Sequence, residues 1–216
     1  MRIAIIDSGI HPGHPHVGEV AGSVGITPDG EIADAIDRLG HGTAVAGAIR
    51  EKAPDAELYA VKVFDRRLSA NIAVILRALE WCREHRMDLV NLSLGTENPG
   101  HRDSFVRVIG DDLLVISAAG ALPGSLPNVI GVAADPDCPR DAFRYRGGMF
   151  YASPYPRPIP GVPADRNLKG ISFAVANMTG LAARLLPACL FPDPTRSDVR
   201  EALIARAEIS AARSTA

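Results

Sequence analysis

Three short stretches of this chain set a reactive side chain among very small neighbours. Asp7 follows the apolar run Ile3-Ala4-Ile5-Ile6 and precedes Ser8-Gly9. His41 lies in Gly40-His41-Gly42-Thr43-Ala44-Val45-Ala46-Gly47, and Ser172 in Lys169-Gly170-Ile171-Ser172-Phe173-Ala174-Val175-Ala176. A carboxylate, an imidazole and a hydroxyl are the groups of acid–base and nucleophilic chemistry. Each fragment alone also has a plain structural reading. Asp-x-Gly turns the chain at a strand end, a solitary histidine is commonly an ordinary surface or core residue, and serine caps many helices. Small residues on both sides of His41 imply that something approaches its ring closely. His41 and Ser172 both fall where helices begin, and helix N-termini present unpaired N–H groups suited to a developing oxyanion.

The elements that must carry these residues follow from hydrophobic periodicity. Short β-branched runs bounded by Gly, Pro or Asp predict strands at 2–6, 57–63, 88–93, 112–117 and 128–133. Helical patterns fall at about 41–52, 69–86, 101–110 and 172–187, the last ending before Pro187. Another helix follows Pro194, capped by Thr195 or Ser197. This alternation predicts an α/β fold, a parallel β-sheet flanked by helices on both faces, formed by one domain over 1–216. In such a sheet the reactive groups gather at the carboxyl ends of the strands. Segment 135–169 carries Pro136, Pro139, Pro154, Pro156, Pro158, Pro160 and Pro163 and reads largely as extended surface loop.

In this order the three blocks resemble the catalytic blocks of the subtilisin-like serine proteases, whose chain order is Asp, His, Ser. Leu58-Tyr59-Ala60-Val61-Lys62-Val63 and Asn91-Leu92-Ser93-Leu94-Gly95 resemble central strands of that family, so the likeness runs from about residue 2 to about residue 205. It implies hydrolysis of peptide bonds, with Ser172 as nucleophile, His41 as its base and Asp7 orienting the imidazole. It also implies that Ser93, Leu94 and Gly95 face Ala118, Ala119 and Gly120 across the pocket for the residue before the cleaved bond. Ser93-Leu94-Gly95 would pair main chain to main chain with an extended peptide.

Several positions depart from the family pattern. Ala121 stands where subtilisins usually carry the asparagine that donates to the oxyanion; Asn128 and Asn177 are the nearby amides. The nucleophile block reads Gly170-Ile171-Ser172, with Ala176 and Asn177 where the family has proline and histidine. Only 131 residues separate His41 from Ser172. After Ile49, where secreted subtilisins hold a calcium loop, the chain runs almost directly to the next strand, so neither calcium nor any other metal or cofactor is expected. The first strand begins at the second residue, so the expectation is either that the shortened chain folds without a prodomain or that a separate partner chain takes that role. Besides an intracellular endopeptidase acting on a peptide or protein substrate, two further readings remain open: a binding or scaffold protein on this fold, and an acyl transferase of peptide maturation.

Composition narrows the field further. The net charge of −2 disfavours nucleic acid and anionic membranes, and no apolar run is long enough to cross a bilayer, so the expected location is cytoplasmic. The three cysteines, Cys82, Cys138 and Cys189, lack metal or disulfide spacing and read as free buried thiols. The positive side chains of 135–169, among them Arg144 and Arg146, read as solvated loop surface or, alternatively, a rim that selects acidic peptides.

Overall fold

Along strand β1 (Arg2–Asp7), Ile3 and Ile5 join one hydrophobic cluster and Ala4 and Ile6 another, all fully buried. The period of two thus points both faces of β1 inward, as expected for a strand central to a covered parallel sheet. The computed structural model describes residues 1–163, 166–189 and 196–214. Its strands continue with β2 (Gly22–Thr27), β3 (Gly30–Ile32), β4 (Glu57–Lys62), β5 (Leu89–Leu92), β6 (Val115–Ala118), β7 (Ile130–Ala134), β8 (Phe143–Arg146) and β9 (Met149–Ala152). They form one sheet in the order β3-β2-β4-β1-β5-β6-β7-β9-β8, parallel except for β3 and β8 at its edges. Helices α1 (His41–Lys52), α4 (Ile171–Cys189) and α5 (Arg196–Ser214) cover one face, and α2 (Ile72–Glu84) and α3 (Arg102–Ile109) the other. The predicted architecture is observed. No helix among the described residues is long and apolar enough to cross a membrane.

Two strand pairs were not anticipated. One is the β2–β3 hairpin, which extends the sheet beyond β4. The other corrects the reading of 135–169 as mostly loop: β8 and β9 form a hairpin inside it, and β9 pairs parallel with β7. Gly147 and Gly148, with φ of 60° and 80°, supply the tight turn between them, and the prolines flank the hairpin instead of interrupting it. Arg144 and Arg146 both reach the Asp135 carboxylate, at 2.6 and 2.7 Å, so a single buried acid already engages the pair.

Helix α4 also runs two residues past Pro187, correcting the expected end before that proline. Thr195, one of the two expected caps of α5, lies outside the described residues, as does the side chain of the other, Ser197. Cys82 and Cys138 are free and buried, and the Cys189 side chain lies outside the described residues.

Helices α1 and α4 pack side by side, with their N-termini at the same end: the His41 ring lies beside Phe173, and further along Gly180 abuts Ile49. At the other end of α1, Arg50 gathers four main-chain carbonyls: Val17 at 2.9 Å, Glu19 at 2.8 Å, and Pro54 and Ala56 at 2.7 Å each. This guanidinium ties the loop after β1 to the short connection into β4. Among the described residues no group of three or more His, Cys, Asp or Glu side chains could hold a metal ion. Arg50→Lys keeps the charge but cannot span the four oxygens. It should lower unfolding free energy by about 2 kcal/mol, read from the midpoint of urea denaturation.

Candidate active site

Parallel strands deliver their carboxyl ends to a single edge, and the sequence-predicted residues meet there. Asp7 ends β1, and His41 opens α1. The imidazole Nδ1 donates to Asp7 Oδ1 at 2.8 Å, with the carboxylate 1% exposed and the imidazole 16%. The small residues around His41 are explained by what they touch. A Cβ added at Gly42 would overlap the Gly9 carbonyl oxygen and come within 3.2 Å of the Asp7 side chain. Glycine there lets the first turn of α1 lie directly on the end of β1.

Sequence reasoning missed the carboxylate beneath this pair. Asp37, 7% exposed, accepts the backbone N–H groups of Leu39, Gly40 and Thr43 at 2.9 Å and the Thr43 hydroxyl at 2.6 Å. It also accepts the Ser8 hydroxyl at 2.8 Å, while Ser8 Oγ takes the Gly42 N–H and its own amide donates to Asp7. Asp37 therefore satisfies orphan donors of α1 and locks its first turn to the segment after β1. Burial opposes its charge, but the bonds from Thr43, Ser8 and Leu39 hold its carboxyl below the ordinary value. The signal lay in the sequence as an acid four residues before His41 at a helix start.

For His41, burial disfavours the imidazolium. The hydrogen bond to Asp7 and the charges of Asp7 and Asp37 outweigh it together, and its pKa stands above the usual 6.5.

Ser172 lies in the first turn of α4, half-buried, one residue before Phe173, whose ring centroid is 5.8 Å from that of His41. Two members of the set are thus bonded, and the third lies one residue from the ring that packs beside the imidazole. Among the described residues the Ser172 hydroxyl has no hydrogen-bond partner, and catalytic bonds often tighten only once substrate is bound.

The expected walls also converge. Ser93 Oγ donates to Asp7 Oδ2 at 3.3 Å, and β5 and β6 exit side by side through the pair Leu92↔Ser117. Gly95 and Ala121 come together beyond them, joined by the Thr96–Leu122 bridge. Ala121 brings no polar side-chain atom. The two other amides are engaged elsewhere: Asn128 donates to the Gly110 carbonyl at 3.2 Å, and Asn177 to those of Ser153 and Tyr155 at 2.8 and 3.0 Å. Asn177 instead anchors the stretch after β9, at Ser153 and Tyr155, to α4.

Comparison with known proteins agrees with this geometry. The family model described as the subtilase family matches residues 1–141. Subtilisin E of Bacillus subtilis (strain 168) is 30% identical over 94% of this chain and 59% of its own length. The thermostable alkaline protease of Halalkalibacterium halodurans is 30% identical over 93% of this chain and 60% of its own. The chain therefore spans about three fifths of these relatives. Subtilisin of Bacillus pumilus is 29% identical over 94% of this chain and 82% of its own. Among solved structures, a cold adapted subtilisin-like serine proteinase superposes with a TM-score of 0.72 at 21% identity, covering 95% of this chain and 81% of its own, which shows the shared fold. By its sequence blocks, its sheet and the matched family model, this chain belongs to the subtilase family.

Proposed function

We propose that the chain is a serine endopeptidase that cleaves peptide bonds through Asp7, His41 and Ser172. The observation that carries this reading is the 2.8 Å bond between His41 Nδ1 and buried Asp7. It commits one ring nitrogen to the carboxylate and leaves Nε2 to take a proton. Ser172 Oγ attacks the carbonyl carbon as its proton passes to His41 Nε2. The imidazolium then returns that proton to the departing amine, leaving an acyl-enzyme that water hydrolyses by the same steps. Asp7 orients the imidazole and takes no proton in these steps.

The oxyanion is the weak point. The Ser172 backbone N–H, in the first turn of α4, is the donor at hand, and Ala121 adds none from its side chain. In subtilisin, loss of the asparagine donor costs about 10²–10³ in turnover. That same absence favours the competing reading, a protein that holds peptides without cutting them. An activity-based label separates the two.

A fluorophosphonate probe should label the wild-type chain and leave Ser172→Ala unlabelled; absence of label between pH 6 and 9 would refute the hydrolase. Ala121→Asn should raise kcat by about 10–10² with little change in KM, because the new donor acts on the transition state. An unchanged kcat would place the second donor elsewhere. The base must be neutral to act, so kcat/KM rises with pH as His41 loses its proton. Because its pKa is raised, the acidic limb should have its midpoint above 6.5. Asp37→Asn removes one charge that favours the imidazolium and should move that midpoint to lower pH.

A further inference from the structure

Beside the Asp7–His41 pair, the chain leaves β5 and β6 along two adjacent tracks, 93–95 and 118–121. On the peptidase reading, and by the subtilisin resemblance, a substrate whose carbonyl reaches Ser172 lays its neighbouring residue over the seam between them. Cavities of 480, 510 and 470 Å³ open elsewhere, lined respectively by residues such as Lys62 and Phe64, Arg50 and Glu57, or Tyr155 and Lys169. The seam itself is shut. Thr96 N–H donates to the Leu122 carbonyl at 2.9 Å and Leu122 N–H to the Thr96 carbonyl at 3.0 Å, which stitches one track to the other. A Cβ added at Gly95 would lie 2.7 Å from the Leu122 carbonyl oxygen and 3.1 Å from the Ala121 Cβ, so not even a methyl group fits between the tracks at that level.

The closure is made of main chain and cannot swing aside as a side chain would. Residues 122–126 fold back beneath the second track. Leu122 and Leu126 are buried in the core against α2 and α3. Gly124 presses so closely on Ala118 that a Cβ would overlap its carbonyl oxygen, and a Cβ on Gly131 would overlap that of Gly124. Opening the seam means moving this packed segment, and interiors at close-packed density resist such shifts. Space remains only at the mouth, where Gly120 is exposed and a Cβ at its position would meet no atom within 4 Å.

We propose that Gly95 and Leu122 close the pocket beside the reacting serine, so that the chain accepts glycine or alanine immediately before the cleaved bond and rejects larger side chains. This rests on the peptidase reading above and names its substrate class. An aromatic or branched side chain meets the stitched main chain at Gly95 and Leu122 and would lie exposed over the Thr96–Leu122 bridge, which prevents its carbonyl from approaching Ser172. Glycine and alanine need only the mouth.

The test separates this proposal from the activity itself. Matched fluorescent peptides that differ only at that position, carrying Gly, Ala, Leu or Phe, are titrated against Ser172→Ala by fluorescence polarisation, which requires no catalysis. The same peptides are then offered to the wild-type chain. The Gly and Ala peptides should bind, and be cleaved with kcat/KM, at least about tenfold better than Leu or Phe, since pocket mismatches of one or more carbons change discrimination by about 10–200-fold. Equal or tighter binding of the Phe peptide, or binding of none of the four, overturns the closed pocket. Selective binding without cleavage keeps the closed pocket and refutes the peptidase. Inserting two glycines between Ala121 and Leu122, with the circular dichroism spectrum retained, should break the bridge and admit Leu or Phe; unchanged selectivity in that variant also counts against the proposal.

Discussion

Two carboxylates buried at one corner of the sheet must find hydrogen-bond donors, and the rest of the site is arranged around that need. An unpaired buried charge costs several kcal/mol, so the donors cannot be left to chance. Asp7 takes the His41 imidazole, the Ser8 amide and the Ser93 hydroxyl. Asp37 takes three main-chain amides and two hydroxyls at the start of α1. Ser8 stands between them and receives the Gly42 N–H. The imidazole is therefore held from both sides, by the acid it touches and by the acid that fixes its helix. The same two charges keep His41 basic against the pull of burial.

This corner exists because the sheet is parallel. β1, β5 and β6 end at the same edge, so Asp7, Ser93 and Ala118 arrive together from positions up to 111 residues apart in sequence. Helices α1 and α4 then lie with their N-termini at the same end, one presenting His41 and the other Ser172. Their close approach depends on size more than on polarity. Gly180 brings α4 against Ile49 of α1, where a Cβ would lie only 3.0 Å from the carbonyl oxygen, and Gly42 lets α1 rest on the Gly9 carbonyl after β1, where a Cβ would overlap it. The alanine-rich composition of both helices is thus a positioning device as well as a core.

Much of this was legible in the sequence because the residues concerned obey local rules. The strand before Asp7, the small-residue helix after Gly40 and the start of α4 each carry a periodic or steric signature within a few positions. The β8–β9 hairpin went unread because prolines on either side outweighed the Gly147-Gly148 turn signal between them. Asp37 escaped because its function is to accept from main-chain amides, which have no sequence identity. Asn177 stood near the right block, but only three-dimensional packing shows its amide turned to the Ser153 and Tyr155 carbonyls. The closure at Gly95 was the least legible feature. It depends on how Leu122 to Leu126 fold under another strand, a long-range backbone contact that no single residue announces.

The site's two departures bear on each other. Catalysis draws on binding energy realised in the transition state, and part of that energy ordinarily comes from side chains remote from the reacting atoms. On the proposed reading, a closed pocket would contribute little of it, and an oxyanion site without a side-chain amide little more. On the proposed peptidase reading, substrate energy would then come from main-chain pairing along Ser93-Leu94-Gly95 and from contacts farther along the peptide. Those contacts favour a long, extended and specific substrate over short peptides in general. With so little drawn from the residue at the cleaved bond, such a peptidase would exchange rate for selectivity and suit a narrow range of sequences better than broad digestion of protein.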